Sequence, residues 1–283
     1  MVRLVTIAAR VEVNRLWTQV FGRGLIETSE NFGLQGAWPS HVEVLDLLAA
    51  DFARGEHAWD TNHMLRRLAL SAVFRQSSAT SDAKRARDPR NELLARGPSV
   101  RLSAEMLRDS ALFASGLLVE KSGGPSVKPY QQPNLVDDSG ANGGYSSDTG
   151  DAAHRRSLYT FRKRTVPPPT MLVFDAGSRE ACQSRRFATN TPLQALAIMN
   201  DPIFTECAHA LAQRATREAS DDLDARISRA FQLIASRAPR TNELVALRTL
   251  VTTRVASGEQ DELAALTLAC TTILASDAAI MSR

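Results

Sequence analysis

The stretch HRRSLYTFRKRTVPPPTMLVFDAGSRE, residues 154–180, crowds Arg155, Arg156, Arg162, Lys163 and Arg164 around Tyr159 and Phe161, ahead of three consecutive prolines. Arg179, Arg185 and Arg186 extend the run. A guanidinium binds carboxylate, sulfate or phosphate through a planar fork of donors. A helix start expected at 191–193 adds free backbone N–H groups that could face the same anion. Asp175, Glu180 and Asp201 are the obvious internal counter-ions. Two readings follow. The arginines either form an anion or partner site, or build an ion-pair lattice that satisfies the backbone of a long irregular stretch. On the first reading the candidate ligand-binding residues are Arg155, Arg156, Tyr159, Arg164, Asp175, Arg179, Arg186, Asn190, Asn200 and Asp201.

The charge balance narrows the choice of partner. Residues 154–187 carry eight basic side chains against two acids, a local +6, while the whole chain is only +3. The remainder is therefore net acidic, and the entire positive excess sits in one segment, which can attract anions or an acidic partner. A nucleic-acid reader would show a larger basic surplus arranged on one helix or face. The apolar fraction of 43% and charged fraction of 23% are those of a globular protein with a sizeable core.

Other chemistry-bearing patterns point to structure. Cys182, Cys207 and Cys270 lack C-x-x-C spacing, so no zinc, redox or covalent-haem motif is present, and they read as small buried hydrophobes. HAWDTNH spaces His57, Asp60 and His63 three apart, as a metal site might need, but Asp60 or Thr61 reads better as a helix N-cap. GRGLIE, residues 22–27, imitates a dinucleotide loop. It follows a helix and lacks the third glycine, so a helix C-cap and turn is expected. No nucleophile elbow, P-loop or H-E-x-x-H is found. No catalytic residue and no metal ligand is assigned.

The elements that must hold the basic segment are helical. Leu107, Ala111, Ala114 and Leu118 fall on one face, as do Leu223, Ile227, Phe231 and Ile234. Ile203, Cys207, Leu211 and Ala215 make a third stripe, and Leu244, Leu247, Val251 and Val255 a fourth. Ser40 with Glu43 reads as a capping box. Thr191–Pro192 and Asp201–Pro202 predict two helices meeting at a tight corner. Strand signals are thin: residues 157–161 and 172–174 are the best, giving at most a short hairpin. Residues 121–153 lose all periodicity and are rich in Gly and Pro, with 123–130 expected to be ordered. The chain thus reads as a mainly α, multi-helix globular domain, 1–283. Its N-terminal helices span 1–120, its irregular basic segment 121–190 and its C-terminal helices 191–283. No transmembrane span and no signal peptide is legible.

LYTFRKRTVPPPTMLVFDAGSREACQSRRFATNTPLQALAIMNDPIF resembles the signature of the planctomycete cytochrome-associated domain, called PSD-one, a family of unknown function. RVEVNRLWTQVFGRGLIETSENFGLQGAWPSHVEVLDLLAADF, MLRRLALSAVFRQSS, NELLARGPSVRLSAEMLRDSALFASGLL and GGPSVKPYQ match in the same order, so the resemblance covers nearly the whole chain. Three departures stand out: Arg162 where the family usually has Trp, Val136 where an aromatic is expected, and Ala275 in place of an Asn near the end. The resemblance carries no activity and hence no catalytic residue. It implies the C-terminal module of a larger exported protein, periplasmic or extracellular, with a companion domain and a c-type cytochrome domain as partners. Haem c would sit on that associated domain, with no cofactor in this chain. A start at Met1 then reads as a fragment, a split gene or a mis-called start.

Two functions are expected to compete. One is a non-catalytic module that docks a partner domain or an anionic ligand through 155–186. The other is an enzyme, an oxidoreductase or carbohydrate-active component, with an Arg-lined pocket for an acidic substrate. It would need Arg164, Arg179 and Arg186 to converge with Asp175, Tyr159 or Asn200. Nucleic acid ranks last.

Overall fold

The structure is a computed structural model that describes residues 7–131, 145–163, 166–177, 179, 182–186, 188–258 and 261–282. Its contacts divide the chain into two compact units, Met1–Val100 with Ser282–Arg283, and Arg101–Met281. The break falls inside the 1–120 stretch that periodicity groups together. Local periodicity reports which face of a helix is buried, not which helix buries it.

The first unit is built on α1 (Ile7–Phe21), α2 (Val42–Arg54) and α3 (Thr61–Ala69), with a short α4 (Asp82–Arg87). Val13, Leu16 and Trp17 of α1 pack on Leu45, Leu48 and Phe52 of α2 and Met64 and Leu68 of α3. Gly22 ends α1 in a left-handed turn, φ 78°, as a C-cap glycine does. Asp60 caps α3 by accepting from the His63 amide at 3.0 Å. Ser40 does not cap α2. Its hydroxyl donates to the Leu25 carbonyl at 3.3 Å, and His41 stands at the N-cap without a side-chain bond. The capping-box expectation fails because a longer-range partner takes the hydroxyl.

The second unit is a helical cluster around α8 (Pro202–Glu218). Against it pack α5 (Ala104–Ser115), α9 (Leu223–Ala235) and α11 (Glu262–Leu274), with α10 (Thr241–Ala256) on α11 and α9. The face Phe204, Cys207, Ala208, Leu211, Ala212, Ala215 is fully buried. Its alanines let neighbouring helices approach closely, and burying Leu211 alone is worth about 1.5–3 kcal/mol. Asp201 both ends α7 (Pro192–Asn200) and caps α8, accepting from the Ile203 amide at 2.9 Å. That is the tight corner the two prolines predict.

Strand structure stays within the expected limit of a short pair, at a different place in the chain. Pro169 opens a short helix, α6 (Pro169–Val173), where 172–174 read as strand, because its fixed φ suits a first helical turn. Residues Ser157–Tyr159 form a 3-10 turn, and the chain around it meets the 119–127 stretch in isolated bridges at Val119–Arg155 and Val127–Thr160 rather than in a strand pair. Among the described residues the only strands are β1 (Val100–Arg101) and β2 (Met281–Ser282), a two-stranded pair. A last short helix, α12 (Asp277–Ile280), leads into β2. Among the described residues no helix is long and apolar enough to cross a membrane.

Candidate functional site: a charged face of helix α5 and its arginines

Helix α5 carries Glu105, Arg108 and Asp109 at i, i+3 and i+4, so the three project from one face. The irregular segment hangs from them. Arg108 donates to the Arg155 carbonyl at 2.8 Å, to the Ser157 hydroxyl at 3.2 Å and to the Ala153 carbonyl. Asp109 accepts from the Ser157 amide at 2.7 Å and lies 3.6 Å from the Arg156 guanidinium. Burial pushes the Arg108 pKa down, opposed by the charges of Asp109 and Asp201.

Glu105 is the electrostatic centre. Arg162 reaches it at 2.6 Å and Arg186 at 2.7 Å, one on each carboxylate oxygen. Arg162 also donates to the Gly177 carbonyl at 3.2 Å and is close to the Met171 sulfur at 3.3 Å. The Arg162 side chain is 8% exposed and that of Arg186 43%, so the first is an internal pair and the second a rim pair. Burial penalises the Glu105 carboxylate, but the Arg186 bond and the charges of both arginines overcome it and hold its pKa below the ordinary value. Burial lowers the Arg162 pKa, Glu105 opposes this, and the positive charges of Arg179 and Arg186 lower it further. Two guanidiniums therefore share one carboxylate, with the charge of Arg179 acting on Arg162 beside them.

The expected residues distribute unevenly. Arg179 and Arg186 belong to this cluster. Arg179 is exposed and adopts a left-handed φ of 63°, a conformation that disfavours a non-glycine residue. Arg155 is buried elsewhere. It donates to the carbonyls of Pro125 at 2.8 Å, Lys121 at 3.0 Å and Gly123, and lies 3.9 Å over the Tyr159 ring. The Tyr159 hydroxyl accepts from the Gly123 amide at 2.8 Å. Arg156 is half-exposed beside Asp109. Asp175 takes Arg101 at 2.6 Å and both the amide and hydroxyl of Thr189. Asn190 donates to Asp277 at 3.1 Å, and Asn200 to the Leu196 carbonyl of its own helix at 2.7 Å. Asp201 receives the Thr170 hydroxyl besides capping α8. Arg164 and Val136 lie outside the described residues. The structure thus brings Arg179 and Arg186 together with Arg162, and sets Tyr159, Asp175 and Asn200 in separate hydrogen bonds.

Glu105, Arg108, Asp109 and Arg101 are the partners that reading from composition missed, and Arg162 was read as part of the basic run without a role of its own. The i, i+3, i+4 spacing of three charges on a helix with an apolar opposite face was the available signal for Glu105, Arg108 and Asp109. A cavity of about 30 Å³ lies beside the cluster, lined by Arg108, Tyr130, Thr170, Phe174, Asp201 and Phe204. That is room for one water molecule, not a substrate.

Two other expectations meet a definite geometry. Cys207 and Cys270 are buried, and burial pushes each thiol up to about 12; Cys182 is exposed, contrary to its reading as a core residue, because it lies outside any helix. His57 lies outside α3, with its ring stacked on His63 at 4.1 Å. Among the described residues no three His, Cys, Asp or Glu side chains are grouped to hold a metal ion.

A helical fold that suspends an irregular Arg-rich segment from one charged helix face is thus the class of structure in hand. A family model described as PSD1, protein of unknown function (DUF1553), matches residues 5–251, and the chain belongs to that family. No curated protein and no solved structure matches the chain.

Proposed function

We propose that this chain is a non-enzymatic docking module whose Arg-rich segment engages an acidic protein surface. The observation that carries the reading is the imbalance at Glu105: Arg162 and Arg186 share one carboxylate, Arg179 adds a further positive charge in the field of Arg162, and Arg179 and Arg186 reach solvent. An exposed positive rim of this kind attracts acidic partners and orients them. In the same unit α7 presents Leu193, Leu196 and Met199 to solvent at three-residue spacing, and α6, which packs on α7, adds exposed Leu172. Apolar contact flanked by positive charge suits a partner face that is acidic and partly apolar. Tyr159, Asp175 and Asn200, the groups an acid-substrate enzyme would need free, are engaged in hydrogen bonds that shape the fold.

The resemblance adds context to this reading. It makes the acidic partner a companion or c-type cytochrome domain of an exported protein, with haem on that partner and none here. The test is fluorescence anisotropy with a labelled polyglutamate peptide and a polylysine peptide of equal length. Binding of polyglutamate that weakens steeply between about 50 and 500 mM salt is the expected result, because a Debye length near 10 Å at 0.1 M screens rim charges. No polyglutamate binding at low salt, or equal binding of polylysine, overturns it.

A further inference from the structure

The first unit holds a pocket of about 200 Å³ that none of the preceding chemistry uses. One wall is aromatic. Trp17 and Phe21 line it, their ring centroids 4.2 Å apart and their planes tilted by 32°, and Phe74 supports Phe21 edge-on from behind at 6.2 Å. Trp38 stands at the mouth, 84% exposed. A folded chain leaves so large an apolar side chain in water at a cost, and an exposed aromatic at a concave site is a marker of binding.

The opposite wall is polar and self-neutralised. Arg23 donates to Glu92 at 2.7 Å and to Glu27 at 3.1 Å, and Arg90 lies 3.6 Å from Glu27. Two guanidiniums face two carboxylates, so the wall has no net charge and offers a charged ligand no favourable field. It still offers directed hydrogen bonds. A guanidinium has five N–H donors and a carboxylate about four acceptor positions, more than these three contacts consume. All four side chains keep solvent access. Mutual pairing holds the forks in place before any ligand arrives, which reduces the ordering cost of binding.

The backbone is fitted to this shape. Asn14, fully buried on α1, donates to the Ile26 carbonyl at 3.0 Å and accepts from the Ile26 amide at 2.9 Å, fixing the turn that carries Arg23 and Glu27. A Cβ at Gly24 would come within 2.5 Å of the Ile26 carbonyl oxygen and 2.8 Å of the Asn14 amide nitrogen, so only glycine fits there.

A ligand for this pocket needs one apolar face, many neutral donors and acceptors, and no net charge. A pyranose ring meets all three: its C–H face packs on an aromatic π face, and adjacent hydroxyls both give and accept hydrogen bonds. The volume is below the roughly 300–1,000 Å³ of drug and cofactor sites and suits a single sugar ring. We propose that this pocket binds a neutral saccharide, with Trp38 as the stacking platform and the Arg23–Glu27–Glu92 network reading its hydroxyls. The site lies in the first unit and is independent of the docking surface on the second.

The test is isothermal titration of the full chain with neutral trisaccharides built on glucose, mannose, galactose and N-acetylglucosamine, with trigalacturonate as the charged comparator. Tryptophan fluorescence reports on the site. At least one neutral trisaccharide should bind with Kd near or below about 1 mM and shift the emission to the blue as Trp38 is covered. Trp38→Ala should lose at least about tenfold in affinity, or about 1.4 kcal/mol, with an unchanged thermal midpoint, because the side chain it removes is exposed. Absence of binding by every neutral trisaccharide at about 10 mM, equal binding by Trp38→Ala, or tighter binding of trigalacturonate would each overturn the proposal.

Discussion

Replacing Glu105 by glutamine keeps the shape of the side chain and removes its charge. The Arg162 guanidinium, nearly enclosed, then loses its counter-charge while keeping the Gly177 carbonyl at 3.2 Å and the Met171 sulfur at 3.3 Å. Breaking a buried pair by removing one partner costs about 3–5 kcal/mol. A glutamine oxygen can still accept one bond from Arg162, so the expected loss from that pair is about 2–3 kcal/mol. The Arg186 pair adds at most about 1 kcal/mol, since the Arg186 side chain is 43% exposed and solvent screens it. Urea unfolding followed by circular dichroism should show the transition of Arg101–Met281 moving down by about 1 M, for an m-value of about 2–3 kcal/mol/M. Acidity gives a second readout. The folded Glu105 pKa is depressed, so the stability it contributes is present above the unfolded glutamate pKa of about 4.3 and disappears as the pH falls through the folded value. Glu105→Gln should lack that part of the acid sensitivity. A midpoint within experimental error of the parent, or an identical acid limb, would refute the assignment of Glu105 as the anchor.

Arg155→Met should cost about 3 kcal/mol, because it removes a guanidinium bonded to three carbonyls and stacked on Tyr159; thermal unfolding measures it, and hydrogen exchange at the Val127 amide should accelerate with it. Ellman's reagent at a pH of about 8 should label one thiol of the folded chain quickly, Cys182, and all three only after denaturation; rapid labelling of a second would contradict the burial of Cys207 and Cys270. Arg237 bonds both carboxylate oxygens of Glu243 at 2.7 Å and, against burial, pulls its pKa down to about 2. Stability from this pair should be complete above a pH of about 4.3 and fade towards pH 2, and Glu243→Gln should flatten the acid limb of the unfolding profile across that window.

The helices were legible because their signals are local. The stripes of α5, α8, α9 and α10, and the proline corner at Asp201, are set by side-chain periodicity and by residues that start a helix. The Leu172–Phe174 stretch was misread as strand, since three residues carry no period and the decisive term is the preceding proline. The basic segment was legible as a place but not as a set of contacts. Glu105 lies 57 residues from Arg162 and 81 from Arg186, so no spacing rule pairs them. Arg155 and Arg186 look alike in sequence, yet one is enclosed by carbonyls and the other faces water. What distinguishes them is the tertiary environment: the first sits under a loop that needs donors, the second at the edge of a helix terminus.

The most direct measurement is the affinity of an Arg179→Met/Arg186→Met double variant for the labelled polyglutamate peptide, taken beside its urea midpoint. Loss of at least about tenfold in affinity, with a midpoint lowered by no more than one exposed pair allows, about 1 kcal/mol, is the predicted result. Undiminished binding by a folded variant would show that these two arginines do not form the docking rim.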